Sequence, residues 1–264
     1  MLNSSYDNQT QIEDIAMKID ITAIKFAAKL LSEGKLVAIP TETVYGLGAD
    51  ASNLTAVQKI YAVKKRPMTN PLIIHLSNTA AISDFAQEIP DAAFILAEKF
   101  WPGPLTLILK KRPNVLSLVT GGQDSVAVRV PSHPVALALL NEFGGGIAAP
   151  SANRYGNLSP TQSNHVKQGL GNDVDYILEG GPCKIGIEST IVSLLDDLPI
   201  ILREGHISEH TIAKALGLKS LSHKMHSTVV VPGSTLKHYS PLKPLYLLDL
   251  VSLKNTLEKM MAEN

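Results

Sequence analysis

The sequence predicts an α/β fold in which helices alternate with strands. From about residue 20 onward, segments with apolar residues at helical spacing alternate with short, continuously apolar runs, and Gly, Pro or Asn residues punctuate them. Hydrophobic residues make up 45% of the 264 residues and charged residues 18%, which is typical of globular proteins. This alternation favours a mixed α/β layer structure over a helical bundle or a β-sandwich.

The predicted helices have recognisable ends. Asp20 can cap a helix that stops at Gly34, Asn53 can cap a second helix that must end by Pro67, and Ser208 can cap a late one. In the first helix the inward stripe is predicted to be Ile24, Ala27, Ala28 and Leu31. Further helices are predicted at 91–101, about 134–142 and about 161–169.

The predicted strands are the apolar runs between these helices. They are LVAIP, PLIIHL, LTLIL, SVAVRV, IAA before Pro150 and DYIL before Gly180, with two more within residues 189–203 around a turn at Asp196 and Asp197. We expect a polar tail over residues 1–19, one main domain over 20–217 and a linker over 218–241. A strand-like run, PLYLLDL, and one short helix are predicted within the remaining residues 242–264.

Composition argues against several classes of protein. The formal net charge is +0, whereas proteins that bind nucleic acid usually carry a clear basic excess. No apolar run approaches the roughly 18 residues that a membrane span requires, and the N-terminal stretch is too polar for a secretory signal. Cys183 is the only cysteine, which excludes an internal disulfide and a cysteine-based zinc site. We therefore expect a protein of the reducing cytoplasm, with no membrane partner.

Residues 40–48, PTETVYGLG, form the first candidate binding segment. The segment follows a predicted buried strand, and ligands of open α/β sheets bind at strand ends. In an extended chain Thr41, Thr43 and Tyr45 share one side and present three hydroxyls. Alternatively, these hydroxyls only cap a turn, which is a common role of Ser and Thr.

Residues 64–75 form a second candidate, with a basic helix end that leads through a proline-stiffened loop into a strand. Because Pro67 keeps Arg66 out of helical geometry, Lys64 and Arg66 can project together toward phosphate oxygens. The alternative is that these cations only compensate the helix dipole. The prolines and Asn70 favour a site.

Arg129 is the third candidate because it lies in an otherwise apolar strand. A buried arginine requires a partner, and the carboxylate of a ligand would supply one through a bidentate hydrogen bond. A structural Asp or Glu elsewhere in the chain is an equally good explanation.

Two small-residue loops are the remaining candidates. Ser151 and Asn153 alternate onto one side of the first loop, which continues to Ser159 and Thr161 and can present hydroxyls and N–H groups to an anion. Ser159 or Thr161 can instead be a helix cap. The second loop is residues 186–191, GIESTI, with Arg203 nearby on the next strand. His206 with His210, and His223 with His226, lack the third ligand of a metal site.

Taken together, the motifs resemble one family. PTETVYGLG, KxRPxxNPL with His75, FWPGPLTLIL, VAVRVPSHP, APSANxxGxxSPT, GIESTIV and ILREG span residues 40–205 in the order found in the YrdC-type threonylcarbamoyl-AMP synthase family. Pro232-Gly233 and residues 238–241, HYSP, further resemble the start of the linker in its longer, two-domain members.

The resemblance implies a YrdC-like twisted mixed sheet, flanked by helices, around a large concave pocket. It also implies synthesis of L-threonylcarbamoyl-adenylate from L-threonine, bicarbonate and ATP with release of pyrophosphate, a nucleotidyltransferase reaction. The product would pass to a downstream threonylcarbamoyl-transferase complex for modification of adenosine 37 in ANN-decoding tRNAs, so that contact with tRNA is indirect. ATP is the substrate, Mg²⁺ is expected with its phosphates, and no protein side chain is assigned to the metal.

The same resemblance implies roles for individual residues. Lys64 and Arg66 are the expected catalytic residues, because they would neutralise charge on the phosphates. The residues expected around threonine are Thr43, His75, Arg129, Pro150 and Ser189. Those expected to bind ATP or the adenylate are Lys64, Arg66, Asn70, Ser125, Ser151, Asn153, Ser159, Arg203 and Tyr239.

Two features depart from the family, and two other functions compete. Ser125 stands where the family often has Thr, and the few residues after Pro241 do not suffice for the second domain of the longer members. A carbamoyl-transfer relative of the same fold is one alternative, although such enzymes need cysteine pairs that this chain lacks. An RNA-binding module is the other, and the neutral net charge argues against it.

Overall fold

A mixed, ten-stranded sheet lies at the centre of the part of the protein that the computed structural model describes, namely residues 19–223, 229–233, 240–241, 243 and 245–262. Its strands in chain order are β1 (Val37–Ile39), β2 (Gly46–Asp50), β3 (Ile73–His75), β4 (Leu105–Lys110), β5 (Ser125–Arg129), β6 (Ile147–Ala148), β7 (Tyr176–Ile177), β8 (Thr190–Ser193), β9 (Ile200–Arg203) and β10 (Ser222–His223). Across the sheet they are ordered β10-β9-β8-β4-β5-β3-β6-β2-β1-β7, and parallel and antiparallel pairs both occur.

Helices flank this sheet, which confirms the predicted α/β class. They are α1 (Ile21–Ser32), α2 (Leu54–Lys64), α3 (Ile82–Phe85), α4 (Asp91–Phe100), α5 (Pro134–Phe143), α6 (Ser163–Leu170) and α7 (Glu209–Ala215), and a further helix, α8 (Leu250–Ala262), is largely exposed. The three predicted caps are confirmed, because the side chains of Asp20, Asn53 and Ser208 each accept a hydrogen bond from a backbone N–H in the first turn. Within the described chain no helix combines the length and apolarity needed to cross a membrane.

The sheet separates apolar clusters on its two faces. Alternate residues of a strand point to opposite faces. Accordingly, Ala38 packs with the helices α2 and α4, while Val37 and Ile39 pack with α1 and α5. The stripe predicted for α1, which includes Ile24 and Leu31, lies in this second cluster. Burial of each large apolar side chain contributes about 1.5–3 kcal/mol to folding.

Strand β2 was not predicted from the sequence. Its residues, GLGAD, include two glycines, which ordinarily weaken strands. Here the chain requires a glycine, because a Cβ at Gly48 would lie 3.0 Å from both the Val37 carbonyl oxygen and the Ile147 side chain. The close approach of β1, β2 and β6 therefore explains the glycine and the missed strand.

The C-terminal strand prediction is wrong for the residues that the structure describes. Residues 245–249 form no strand, and α8 begins at Leu250. A strand needs a neighbour to complete its backbone hydrogen bonds. No described residue pairs with this run, and Leu245, Tyr246 and Leu247 are exposed.

Candidate functional site

A cavity opens at the ends of the central strands. Strands β3 and β5 are parallel neighbours, and their last residues, His75 and Arg129, are paired in register. Both side chains point to the face that carries α1 and α5, so they reach the same wall. The cavity is lined by Thr41, Thr43, Val44, Gly46, Arg66, Ile73, His75, Arg129, Ala149, Pro150, Ser151, Glu188, Arg203 and Pro232.

Arg129 is buried and held by three acceptors. Its Nε donates to the Gly103 carbonyl oxygen at 3.1 Å, its Nη1 to Thr43 Oγ1 at 3.0 Å, and its Nη2 to Glu42 Oε1 at 2.5 Å. The structural acid that the sequence left as one alternative is therefore present, and it is Glu42. One N–H on each terminal nitrogen has no acceptor among the described residues, so the guanidinium can still bind a carboxylate in the cavity.

The predicted trio of hydroxyls is reduced to two. Thr41 and Thr43 line the cavity with their Oγ1 atoms 2.9 Å apart, whereas Tyr45 points into the core and donates to the Gly181 carbonyl oxygen at 2.9 Å. The chain does not stay extended here, because Thr41 Oγ1 accepts the N–H groups of Thr43 and Val44 at 3.2 Å each and so forms a turn. The expectation that Tyr45 shares a side with the threonines is wrong.

Lys64 does not line the cavity. Its ammonium is buried and donates to the carbonyl oxygens of Ser151 and Asn153, each at 2.5 Å. Burial, with a contribution from the neighbouring Arg66, holds the pKa of Lys64 well below its usual value. The structure thus corrects the expectation that Lys64 and Arg66 project together: Lys64 fastens the 151–153 loop to the end of α2.

Arg66 does face the cavity, and its guanidinium is held from one side. Its Nε donates to the Asn70 carbonyl oxygen at 3.1 Å. Its Nη2 donates to Asn70 Oδ1 at 3.0 Å and to the Pro71 carbonyl oxygen at 2.8 Å. The group lies 5.8 Å from the centre of the Tyr155 ring. Nη1 has no acceptor among the described residues and is free for an anion. Asn70 does not line the cavity, so its contact with the site is through Arg66.

Arg203 forms a third cationic wall with Ser189 and Glu188. Its Nε and Nη2 donate to the carbonyl oxygen and Oγ of Ser189, both at 3.0 Å. Ser189 is buried behind Arg203, outside the cavity lining, and its Oγ lies 2.7 Å from Thr106 Oγ1. Glu188 Oε1 accepts from Ser159 Oγ at 2.8 Å, and its Oε2 lies 3.9 Å from Arg203 Nη2.

Glu42 and Glu188 are the site residues that sequence reasoning missed. Both lie inside the recognised motifs PTETVYGLG and GIESTIV, in which only hydroxyl residues were predicted to belong to the site. Each acid is the only acidic residue of its motif. Because the predicted site contained several buried cations, a search for their counterions would have found both.

His75 is a buried, neutral wall of the cavity. Burial, reinforced by the charge of Arg129, lowers its pKa to about 3. Its Nδ1 has no hydrogen-bond partner among the described residues. Pro150 and Ser151 also line the cavity.

Two further concavities continue the cavity. One shares Glu188 and Arg203 with it and reaches Ser159. The next contains Ser159 and Asn153. Asn153 Nδ2 donates to the carbonyl oxygens of Arg154 and Asn157, which fixes the loop between them. Of the residues predicted to hold the nucleotide, Arg66, Ser151, Asn153, Ser159 and Arg203 line the groove that these adjoining concavities form, whereas Lys64 and Asn70 do not.

Two predicted site residues are not brought to this groove by the described structure. Ser125 begins β5, at the opposite end from Arg129, and lines a separate depression with Lys110 and Gln123. The expectation that it joins the same pocket is wrong, because Ser125 and Arg129 stand at opposite ends of the five-residue strand β5. Tyr239 lies outside the described residues.

The described residues include no group of three or more His, Cys, Asp or Glu side chains that could hold a metal ion. Cys183 is half-buried, and burial raises the pKa of its thiol to about 11. A thiol with a raised pKa is a poor nucleophile at neutral pH.

Comparison with known proteins identifies the family. The Sua5, YciO and YrdC family model, described as telomere recombination, matches residues 29–205. The chain belongs to this family. Membership of the Sua5/YciO/YrdC family confirms the resemblance drawn from the motifs, and the matched residues contain every wall of the cavity except Pro232.

Curated relatives of the family are similar over most of this chain. Threonylcarbamoyl-AMP synthase of Bacillus subtilis is 46% identical over 228 residues, which cover 84% of this chain and 66% of that protein. The synthases of Pyrococcus abyssi and Schizosaccharomyces pombe are 43% and 39% identical and are covered over 69% and 64% of their length. This chain thus spans about two thirds of the length of these relatives.

Solved structures of the family agree. Pyrococcus abyssi Sua5 complexed with L-threonine has a TM-score of 0.85 at 40% identity, over 92% of this chain and 74% of that one. Escherichia coli YciO has a TM-score of 0.64 at 24% identity, over 73% of this chain and 94% of that one, which is a likeness of fold alone.

Proposed function

We propose that this chain synthesises L-threonylcarbamoyl-adenylate from L-threonine, bicarbonate and ATP, with release of pyrophosphate. The observation that carries the proposal is that Arg66 and Arg129 face one cavity with N–H groups left without acceptors among the described residues. The 46% identity with a threonylcarbamoyl-AMP synthase, and the likeness to a Sua5 structure that contains L-threonine, support the same activity.

Threonine binds at the inner wall in this proposal. The remaining N–H groups of Arg129 receive its carboxylate, and Thr43 and the neutral His75 lie beside it. Pro150 lines the same cavity. Ser189 acts from behind the wall, because its hydroxyl and carbonyl hold Arg203.

ATP lies along the groove, with its phosphates near Arg66 and Arg203. Ser151, Asn153 and Ser159 line the rest of its path, and Lys64 and Asn70 hold the loop and the guanidinium that contact it. Tyr239 is a further proposed nucleotide contact. Mg²⁺ would be held mainly by phosphate oxygens and water, and it would neutralise phosphate charge.

The chemistry is a displacement at the α-phosphate. The threonine amine takes up CO₂ from bicarbonate to form a carbamate, a carbamate oxygen attacks the α-phosphorus, and the bond to pyrophosphate breaks. Negative charge grows on the phosphates during this step. A fixed N–H donor opposite such charge lowers the activation free energy by about 3 kcal/mol. Arg66 Nη1 is such a donor.

The linker closes the groove in this proposal. Three contacts fix residues 229–233 beside the site: Val230 exchanges backbone hydrogen bonds with the Gln123 side chain, Val231 is buried, and the Pro232 carbonyl oxygen accepts from Arg203. Removal of residues 219–264 is expected to slow the reaction by exposing the adenylate to water. An unchanged rate would exclude a lid role.

The product is proposed to pass, in the cytoplasm, to a downstream threonylcarbamoyl-transferase complex that modifies adenosine 37 of tRNA. The adenylate is a mixed anhydride that water destroys, so a direct acceptor is needed. This chain itself is not proposed to bind tRNA, since its net charge is +0.

The test is pyrophosphate release by the purified protein. Release should require both threonine and bicarbonate, and Arg66→Ala should reduce it about a hundredfold. Arg112→Ala is the matched control, because Arg112 is an exposed arginine that donates to the Ser83 carbonyl oxygen. Pyrophosphate release at the same rate with and without threonine would contradict the proposal. RNA retention without pyrophosphate release would instead favour an RNA-binding module.

A further inference from the structure

Glu42 is a buried acid beside the cavity whose two oxygens are both occupied. Oε1 accepts from Arg129 Nη2 at 2.5 Å, and Oε2 accepts the Ser132 N–H at 3.1 Å. The Glu42 side chain is 7% exposed and does not line the cavity. It therefore does not touch a ligand, and its effect on one must pass through Arg129.

The contacts of Arg129 fix the plane of its guanidinium. Its three acceptors, the Gly103 carbonyl and the adjacent residues Thr43 and Glu42, come from two separate segments of the chain and bind three different nitrogens, so rotation about any side-chain bond would break at least one contact. The two remaining N–H bonds then have set directions, one on each terminal nitrogen. Two N–H donors on the terminal nitrogens of one guanidinium can bind the two oxygens of a carboxylate.

We propose that Glu42 is a positioning residue that holds Arg129 in the orientation that selects ligands carrying a carboxylate. This inference rests on the proposed binding of threonine. A mere counterion would need only a negative charge near Arg129. A positioning residue needs both oxygens at their present places, because one binds Arg129 and the other fixes Glu42 itself to the chain that follows β5.

The Glu42→Gln variant distinguishes a positioning residue from a counterion. Glutamine has nearly the same shape but only one acceptor oxygen, so its NH₂ group must face either Arg129 Nη2 or the Ser132 N–H, both of which are donors. One of the two contacts is lost in either rotamer. Loss of the negative charge by itself would make the wall more cationic and favour a carboxylate, so weaker binding can come only from lost orientation.

The experiment is calorimetry of the whole chain with L-threonine, with L-threoninol, which lacks the carboxylate, and with ATP. In Glu42→Gln the dissociation constant for threonine should rise at least tenfold, while those for threoninol and ATP should change less than twofold. Glu179→Gln is the matched control. Glu179 accepts from the Gly180 and Gly181 N–H groups away from this cavity, so the variant should match the native protein.

Glu42→Asp provides the second variant, which keeps the charge and both oxygens but is one methylene shorter. It should also lose the preference for threonine over threoninol. The inference would be overturned if either variant kept the native ratio of the dissociation constants for threonine and threoninol, whether neither constant changed or both rose equally. The proposed function would still stand. If the native protein binds no threonine, both proposals fail.

Discussion

Replacement of His75 by glutamine should make the stability of the protein less sensitive to acid. His75 is 3% exposed, and its pKa is lowered from 6.5 to about 3, first by burial and then by Arg129. Between these two pH values the unfolded chain binds a proton at this residue and the folded chain does not. Stability from the neutral ring is therefore complete above pH 6.5 and is lost as the pH falls toward 3.

The size of the effect follows from the pKa difference. Each pKa unit corresponds to about 1.4 kcal/mol, so the full shift from 6.5 to about 3 corresponds to about 5 kcal/mol. Between pH 7 and pH 4, about 3 kcal/mol of this should be lost in the native protein. A domain of this kind has about 5–15 kcal/mol of stability in all, so His75 should contribute much of its acid sensitivity.

Urea unfolding, followed by the fluorescence of Trp101, measures this directly. Trp101 is the only tryptophan, is buried, and donates its Nε1–H to the Leu105 carbonyl oxygen at 2.6 Å. The free energy of unfolding should fall by about 3 kcal/mol less in His75→Gln than in the native protein between pH 7 and pH 4. His210→Gln, at an exposed position on α7, is the control. Equal slopes in the His75 variant and the native protein would refute a neutral, buried His75.

Three other substitutions test contacts around the groove. Lys64→Met removes the donor to two buried carbonyls and should lower the free energy of unfolding by about 2 kcal/mol in urea titrations; an unchanged value would show that the loop does not need the ammonium. Gln123→Ala should speed hydrogen exchange of the Val230 N–H about fivefold, since one hydrogen bond of about 1 kcal/mol is lost. Ser125→Ala should leave the dissociation constant for ATP within about twofold, because Ser125 lies outside the groove; a large loss in calorimetry would restore it as a nucleotide contact.

Local rules predicted most of the helices and strands. Caps at Asp20, Asn53 and Ser208 are decided within one turn of chain, so the sequence alone suffices. The failures, β2 and residues 245–249, depend on neighbours far along the chain. Residues 46–50 become a strand because β1 and β6 flank them, and residues 245–249 do not because no described strand does.

The sequence predicted which residues belong to the site better than it predicted where their side chains point. Strand ends and motifs identified Arg66, Arg129 and Arg203, which all reach the cavity. Side-chain direction was harder, because it depends on hydrogen bonds between distant segments. Lys64 turned to carbonyls 87 and 89 residues away, and Tyr45 turned to Gly181, 136 residues away. No pattern within a motif encodes those choices.

Each arginine at the cavity is anchored by part of its guanidinium and leaves the rest free. Arg66 is held by Asn70 and Pro71, and Arg129 by Glu42, Thr43 and Gly103, so neither needs to reorganise when an anion arrives. Donors that are fixed before the reaction stabilise developing charge more than mobile ones, because no free energy is spent in orienting them. The acids beside these cations, Glu42 and Glu188, offset part of the free-energy cost of placing several guanidinium groups at one site. The anchors of the arginines are therefore as much a part of the site as the N–H groups that would contact a substrate.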